Sequence, residues 1–276
     1  MTGNLRILPE NVHDTAALSV SSAQMPVEYT QHAGHSYVWR SVDSQDQTIT
    51  ATLTGPIFMD CVAISKHNLG ASGMLRVKLY ITGQDTPVYD SQDLATAMII
   101  PAGVWRAGID PFGATYNELL PGGSELSIHW MPQPVLADRY ELVISGTQSS
   151  GYFEIGRIFS GLSFSPSVNI DWNPDLDWGD KSEHVETEGG SLRTIKKPRR
   201  RMFNLKLSWL SDADREVLVS RLVKNGMGAD LLISVFPGVG GFKELEYTMV
   251  CRLAQSLSHS LSHYQNWQAP LKFLEA

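Results

Sequence analysis

Residues 203–209 read Phe-Asn-Leu-Lys-Leu-Ser-Trp, a strict alternation of apolar and polar side chains. A period of two is typical of a β-strand with one buried face. Ser211 follows this strand, and Asp214 stands three places further on, which predicts a helix that begins with an approximate capping box. Apolar residues at helical spacing continue from there until Gly226 and Gly228, where we expect the helix to end.

The rest of the last quarter predicts more strands. Residues 231–236 form a short, nearly all-apolar run, and apolar and polar residues alternate again from Leu245 to Leu253. A final apolar stretch, residues 271–274, closes the chain. The prediction is a small β-domain that carries one helix and docks against copies of itself, and no pattern in it indicates catalysis.

The first half of the chain contains short strand patterns separated by turn residues. They lie at residues 37–39, 48–53, 61–65, 75–81, 88–89, 126–130, 140–144 and 152–155. Short strands at this spacing predict a mainly β fold whose N-terminal part is a jelly-roll β-sandwich. No helix is predicted before Leu162.

Several of these stretches occur in an order that resembles discoidin-like, galactose-binding-like domains. They are Tyr-Val-Trp-Arg at 37–40, Val-Ala-Ile-Ser-Lys-His-Asn-Leu at 62–69 and Gly-Tyr-Phe-Glu-Ile-Gly-Arg-Ile at 151–158. The resemblance covers about residues 36 to 162. It implies loops at one end of the sandwich that often bind sugars, although many members of the family act as spacers. Trp105 and Trp130 are the candidate sugar-stacking residues, and the alternative is that they plug the ends of the sandwich.

Charge is distributed unevenly along the chain, whose formal net charge is −7. Residues 1–162 hold 8 basic and 15 acidic side chains, whereas residues 163–276 hold 14 of each. An acidic first half argues against a nucleic-acid-binding face there, because phosphate contacts need Lys and Arg. The change in composition also predicts two domains, residues 1–162 and residues 163–276, that behave separately.

The second predicted domain begins with an extended charged arm at about residues 169–201. Seven carboxylates lie between Asp171 and Glu188, and six cations lie between Arg193 and Arg201. Such an arm is expected to fold back as a hairpin with complementary sides. We weigh two interpretations: a hairpin that pairs only with itself, and an arm that contacts a neighbouring subunit. The predicted inter-subunit residues are Trp172, Trp178, Arg199, Arg200 and Arg201.

The order of elements after the arm resembles the tail-tube-type fold of long-tailed bacteriophages. A jelly roll joined to such a unit resembles their distal tail, or baseplate, proteins, which usually place the ring-forming domain first. The resemblance implies a structural virion protein at the tip of a non-contractile tail, assembled in the host cytoplasm. It further implies a hexameric ring that joins the tail tube to the baseplate hub and tail fibres. DNA would pass through this ring without sequence-specific binding. The alternative function is a carbohydrate-binding module that contacts a cell-surface glycan.

No known catalytic motif occurs, so no catalytic residue and no cofactor are predicted. The acidic run from Asp171 does not fit a calcium-binding EF-hand. His259 and His263 lie four apart in a predicted strand, about 13 Å from each other and too far to share a zinc ion. No metal site is therefore predicted.

Cys61 and Cys251 occupy apolar-face positions of predicted strands, which favours buried, reduced thiols over a disulfide. The longest apolar runs are too short to cross a bilayer, and the N-terminus has no apolar leader segment. The sequence thus predicts neither secretion nor membrane insertion.

Overall fold

The computed structural model of the chain describes residues 3–120, 125–172 and 174–276. The fold is mainly β, as predicted. The chain divides into two compact units. The first comprises the chain up to Phe164 together with Leu232–Met249, and the second comprises Ser165–Leu231 and Val250–Ala276. The predicted behaviour of residues 1–162 and 163–276 as separate domains stays a prediction.

In the described part of the chain before Phe164 there are nine strands and one short helix. They are β1 (Arg6–Leu8), β2 (Ala17–Val20), β3 (Trp39–Arg40), β4 (Gln47–His67), β5 (Met74–Tyr80), β6 (Tyr89–Asp90), β7 (Leu94–Ala95), α1 (Tyr116–Leu119), β8 (Leu126–Ser145) and β9 (Glu154–Gly161). Two 3-10 turns, Val12–Thr15 and Val27–Gln31, lie in the N-terminal segment.

The remaining elements follow in chain order. They are β10 (Asp175–Asp180), β11 (Glu183–Glu186), β12 (Leu192–Ile195), β13 (Arg199–Leu210), α2 (Asp212–Leu218), β14 (Leu231–Ser234), α3 (Gly241–Glu246), β15 (Thr248–Leu253), β16 (Ser260–His263) and β17 (Asn266–Glu275). Helix α2 continues into a π-helical turn over Val219–Val223.

The first unit is built on strands β2 to β9, whose order is β3-β9-β4-β8-β5-β6, with β2 on β4 and β7 on β5. Strands β4 and β8 pair antiparallel from Gln47 to Ser65, and their register shifts between Thr52 and Ile57. Pro56 lies in that interruption, where its missing N–H breaks no ladder hydrogen bond. The side chains between the strands form one apolar core that includes Trp39, Tyr140 and Phe153.

A buried polar cluster fixes the N-terminal segment to this sandwich. The imidazole Nδ1 of His13 lies 2.5 Å from the Tyr140 hydroxyl, and Nε2 lies 2.8 Å from the Thr30 hydroxyl. Thr30 donates its proton to the carbonyl of Val27, so Nε2 must be the donor and Nδ1 the acceptor. Burial, with a smaller effect from the nearby Arg157, lowers the pKa of His13 to about 3. His13 is therefore neutral at pH 7.

Two helices that the sequence did not predict lie in the first unit. The four-residue α1 begins where Glu118 accepts a hydrogen bond from the backbone N–H of Thr115, at 3.4 Å. Residues 241–246 form α3 instead of the start of the predicted strand, which begins only at Thr248. The Glu244 carboxylate accepts from the N–H groups of Gly238 and Gly240, at 2.8 and 2.6 Å. These local contacts outweigh the alternating pattern that predicted a strand.

The second unit contains an antiparallel sheet centred on β17, which pairs with β13, β15 and β16. Phe203 and Leu205 of β13 lie opposite Phe273 and Leu271 of β17, and all four side chains are buried. The predicted start of the helix is confirmed, because the Ser211 hydroxyl accepts from the Asp214 N–H at 3.1 Å. The predicted alternation of β13 is confirmed for Phe203, Leu205 and Leu207, which are buried between more exposed neighbours. It is wrong for Trp209, which is 58% exposed because the pairing with β17 shifts its register between Leu207 and Leu210.

The predicted charged hairpin is present. Strand β10 pairs with the start of β13, and Asp180 forms an ion pair with Arg199 at 3.0 Å. Beyond this pair, β11 and β12 form a separate two-stranded sheet, and Lys197 forms an ion pair with Glu183. We call residues 181–198 the charged hairpin. Its turn is closed by the Thr187 N–H, which donates to the Ser191 carbonyl at 2.9 Å.

Both cysteines are buried free thiols, as predicted, and burial raises the pKa of each. Within the described ranges, no helix is long and apolar enough to cross a membrane. Histidine, cysteine, aspartate and glutamate form no group of three that could hold a metal ion in the same part of the chain.

A protease is expected to cleave the folded chain first in the charged hairpin, whose strand residues are all exposed. The two fragments should stay together on a sizing column, because β1 pairs with β14 in the first unit and β10 with β13 in the second. They should separate only in denaturant. Fragments that separate under native conditions, or an uncut hairpin in a proven monomer, would contradict this arrangement.

Candidate functional site

The most prominent candidate surface is a loop between β7 and α1, residues 99–115, which we call the aromatic loop. A bridge between Ile99 and Thr115 closes its base, where Ile100 donates its N–H to the Ala114 carbonyl at 3.0 Å. Within this loop, the Phe112 side chain is 99% exposed. Ile99, Val104 and Ile109 of the same loop are also more than half exposed, and a group of exposed apolar side chains is typical of a surface that meets another molecule.

An ion pair fixes the interior of the aromatic loop. Arg106 contacts both carboxylate oxygens of Asp110, through Nε at 3.2 Å and Nη2 at 3.1 Å, and its backbone N–H adds a bond of 2.8 Å. These hydrogen bonds hold the pKa of the Asp110 carboxyl below its ordinary value. The Arg106 side chain remains 62% exposed, whereas that of Asp110 is almost fully covered. A charged donor is thus fixed six residues before an exposed ring.

Trp105, a predicted sugar-stacking residue, belongs to this loop. Its side chain is half-buried, and its indole N–H donates to the Pro111 carbonyl at 3.0 Å. That bond joins the two arms of the loop and sets the position of the residue before Phe112. The structure therefore gives Trp105 a bracing role beside the exposed ring.

Trp130, the other predicted sugar-stacking residue, does not lie in a loop. It is a half-buried residue of strand β8 that stands opposite Cys61 of β4. The guanidinium of Arg6 lies over its ring, 5.1 Å from the centroid. Because Arg6 lies over the ring, this contact favours packing over sugar stacking for Trp130, and both interpretations given from the sequence stay predictions.

The predicted inter-subunit residues lie in very different surroundings. Trp172, Arg199 and Arg200 are exposed, and Trp172 is fully so. Trp178 is half-buried, with the Arg201 guanidinium 5.8 Å from its ring centroid. Arg201 itself is buried and binds the Glu275 carboxylate, with a shortest distance of 2.5 Å. Arg201 is thus bound within its own unit and presents no free charge to a neighbour.

One buried pair has the composition of a nucleophile and base, namely Ser127 and His67, whose Oγ and Nε2 lie 3.0 Å apart. The Leu69 N–H donates to Nδ1 of His67 at 3.2 Å, so the proton of the neutral ring is on Nε2. Ser127 in turn donates to the Thr96 carbonyl. His67 therefore donates to the serine and does not accept its proton, which is the reverse of an activated nucleophile.

Solved structures of carbohydrate-binding modules match about half of this chain. A family 32 module from Clostridium perfringens NanJ, solved with galactose, matches with a TM-score of 0.38 and 13% identity, over 56% of this chain and 98% of that chain. A fucose-binding module from Streptococcus pneumoniae matches with a TM-score of 0.38 and 8% identity, over 55% and 98%. At these values the similarity identifies neither a ligand nor a site in this chain.

Some matched chains are longer. A Ruminococcus gnavus fucosidase, solved with fucose, matches over 27% of its length, with 12% identity and a TM-score of 0.37. No protein-family model matches the sequence, and the search of curated proteins found no significant match.

Phe112, Arg106 and Asp110 were not predicted from the sequence. The signal that would have found them is an aromatic residue between two glycines, Gly108 and Gly113, both of which adopt positive φ angles. Such turns hold a side chain at the surface, where an apolar ring has no packing role.

Proposed function

We propose that the first unit is a non-catalytic carbohydrate-binding module and that the aromatic loop is its binding surface. The observation that supports this proposal is the 99% exposed ring of Phe112, held near the fixed Arg106–Asp110 pair. Recognition sites for small polar ligands combine an apolar contact surface with a few oriented polar groups. A sugar offers both partners, because one face of its ring carries C–H groups while hydroxyls surround the edge.

The loop is built to bind without much rearrangement. Hydrogen bonds across its base, the Trp105–Pro111 bond and the Arg106–Asp110 pair all fix the loop from within. A loop that is already ordered loses little conformational entropy on binding. Arg106 donates charge-assisted hydrogen bonds, which suit sugar hydroxyls or the carboxylate of an acidic sugar.

Phe112→Ala is expected to weaken glycan binding about tenfold or more, on the scale of a central aromatic contact. Binding would be measured on an array of galactose- and fucose-terminated oligosaccharides and then by calorimetry. Tyr264→Ala is the matched control, since Tyr264 is an exposed aromatic residue of the second unit. It should bind like the unaltered protein.

Trp105→Ala should weaken binding less directly, through loss of the bond to Pro111. Trp130→Ala should lower the thermal stability but leave the affinity of the folded protein unchanged. An unaltered protein that binds no glycan, or a Phe112→Ala protein with full affinity, would refute the proposal.

The role in a phage tail tip remains the second candidate, and the comparisons do not support it. The observation that favours it is the exposed charged hairpin, which suits contacts between subunits of a ring. This candidate requires a discrete hexamer in the virion that binds the tail tube, the baseplate hub and tail fibre proteins. The mass of the purified protein, alone and with those proteins, tests it.

A further inference from the structure

The charged hairpin is an exposed element, and little packing or strand pairing stabilises its fold. Every residue of β11 and β12 is exposed, and among the described residues these strands pair only with each other. Three of its apolar side chains are exposed to solvent: Val185 is 48%, Leu192 66% and Ile195 52% exposed. An isolated two-stranded hairpin is at best marginally stable in water, so this segment has the properties of a surface that becomes covered.

The two strands of the hairpin carry opposite charges. Strand β11 contains Glu183 and Glu186, with Glu188 in the turn and Lys181 before the strand, which leaves this side net acidic. Arg193 lies on β12, and Lys196 and Lys197 follow it, which makes the other side basic. Each strand also has an outer edge whose backbone N–H and C=O groups lie outside the ladder. Such an edge is a template for a further strand. The hairpin thus presents one acidic edge and one basic edge.

Its faces are mixed in the same way. Residues that lie opposite each other in an antiparallel pair share a face, so Val185 and Arg193 lie on the same face as Glu183 and Ile195. The opposite face holds Leu192 beside Glu186. Both faces therefore mix apolar and charged side chains, and a strand added at either edge would extend both faces.

We propose that the occupant is a second copy of this chain, with the acidic edge of β11 in one copy against the basic edge of β12 in the next. The charge pattern selects this arrangement, because pairing β11 with β11, or β12 with β12, would place like charges side by side. Contact between unlike edges is heterologous, so repetition gives a closed ring or an open chain. This inference is independent of glycan binding, which uses residues of the first unit.

The test reverses charge on one strand at a time in the full chain. An acidic variant carries Arg193→Glu and Lys196→Glu, and a basic variant carries Glu186→Lys and Glu188→Lys. Self-association would be measured by sedimentation velocity over a range of concentrations at low salt. Each variant alone should associate at least about tenfold more weakly than the unaltered chain, since like charges then meet. An equimolar mixture of the two variants should associate again, because it restores unlike edges.

Lys206→Glu with Lys224→Glu is the matched control, because both lysines are exposed residues of the second unit outside the hairpin. This control should associate like the unaltered chain, and the melting temperatures of all variants should agree. A chain that stays monomeric at every concentration overturns the proposal, as does an acidic variant that keeps full affinity. A mixture that fails to associate refutes edge pairing even if both variants are monomeric. Glycan binding by the variants is measured in parallel and should not change.

Discussion

Lowering the pH from 7 to 4 is expected to reduce the free energy of unfolding of the first unit by on the order of 6 kcal/mol. The cause is the burial of two neutral imidazoles. Desolvation lowers the pKa of His13 to about 3 and that of His67 to about 4. His13 faces Tyr140, Thr30 and the cationic Arg157. A protonated His13 ring would therefore lie beside a second positive charge, with no carboxylate among these three partners.

The sign of this pH dependence follows from proton uptake. In the unfolded chain both histidines titrate near 6.5, so between about pH 6.5 and pH 4 the unfolded state binds more protons than the folded state. Stability is therefore full above that range and falls as the pH decreases through it. Carboxyls with lowered pKa values, such as Asp90 and Asp110, lose their contribution only near and below 3.8. The interval from pH 6.5 to 4 thus reports mainly on His13 and His67, with a smaller contribution from His129, whose pKa is also lowered by burial.

Urea unfolding at pH 7, 5.5 and 4 measures this loss. His13→Gln should be less stable than the unaltered protein at pH 7 but should show about half of the pH dependence, since one titrating group is removed. His35→Gln is the control, because His35 is exposed. A free energy of unfolding that differs by less than about 1 kcal/mol between pH 7 and pH 4 would contradict the assignment of two buried neutral rings.

Arg201→Glu is expected to destabilise the second unit by about 3 to 5 kcal/mol. The substitution removes the partner of Glu275, whose two oxygens accept from Arg201 Nε at 2.9 Å and from its backbone N–H at 2.8 Å. It then places a second carboxylate at a position that is only 7% exposed. Breaking one side of a buried ion pair is costly because the remaining charge stays desolvated.

The matched control is Arg200→Glu, one residue earlier on the same strand. Arg200 is exposed, so its reversal should change the free energy of unfolding by no more than about 0.5 kcal/mol. Exchanging the pair, Arg201→Glu with Glu275→Arg, should recover part of the loss. Equal effects of the two single substitutions in chemical denaturation would show that Arg201 is not the internal residue described here.

The features predicted correctly from the sequence are the ones that local patterns determine. Alternation predicted β13, and Ser211 with Asp214 predicted the start of α2, because burial of one strand face and capping of a helix depend on neighbours in sequence. Arg201 shares the parity of Phe203 and Leu205, so its burial was readable from the same alternation. Arg201 also lies in a run of cations, however, and that run predicted an inter-subunit contact instead.

The features that the sequence did not reveal depend on contacts between distant residues. Phe112 is exposed because hydrogen bonds across the base of its loop hold it there, and no periodic pattern describes such a loop. Leu232–Met249 belongs with the first unit although it follows the charged arm in sequence. Composition changes once along the chain, near Leu162, and therefore does not indicate that a later segment belongs to the first unit.

That return has a consequence for synthesis on the ribosome. Strand β1 pairs with β14, and Ser234 lies 228 positions after its partner Arg6. At bacterial or eukaryotic rates of elongation, β1 waits roughly 10 to 50 s before its partner is translated. During that interval the nascent chain exposes Ile7 and Leu8, which are buried in the finished protein. The first unit begins at the N-terminus but is completed only when Met249 has been translated, so chaperones have long access to its N-terminal strand.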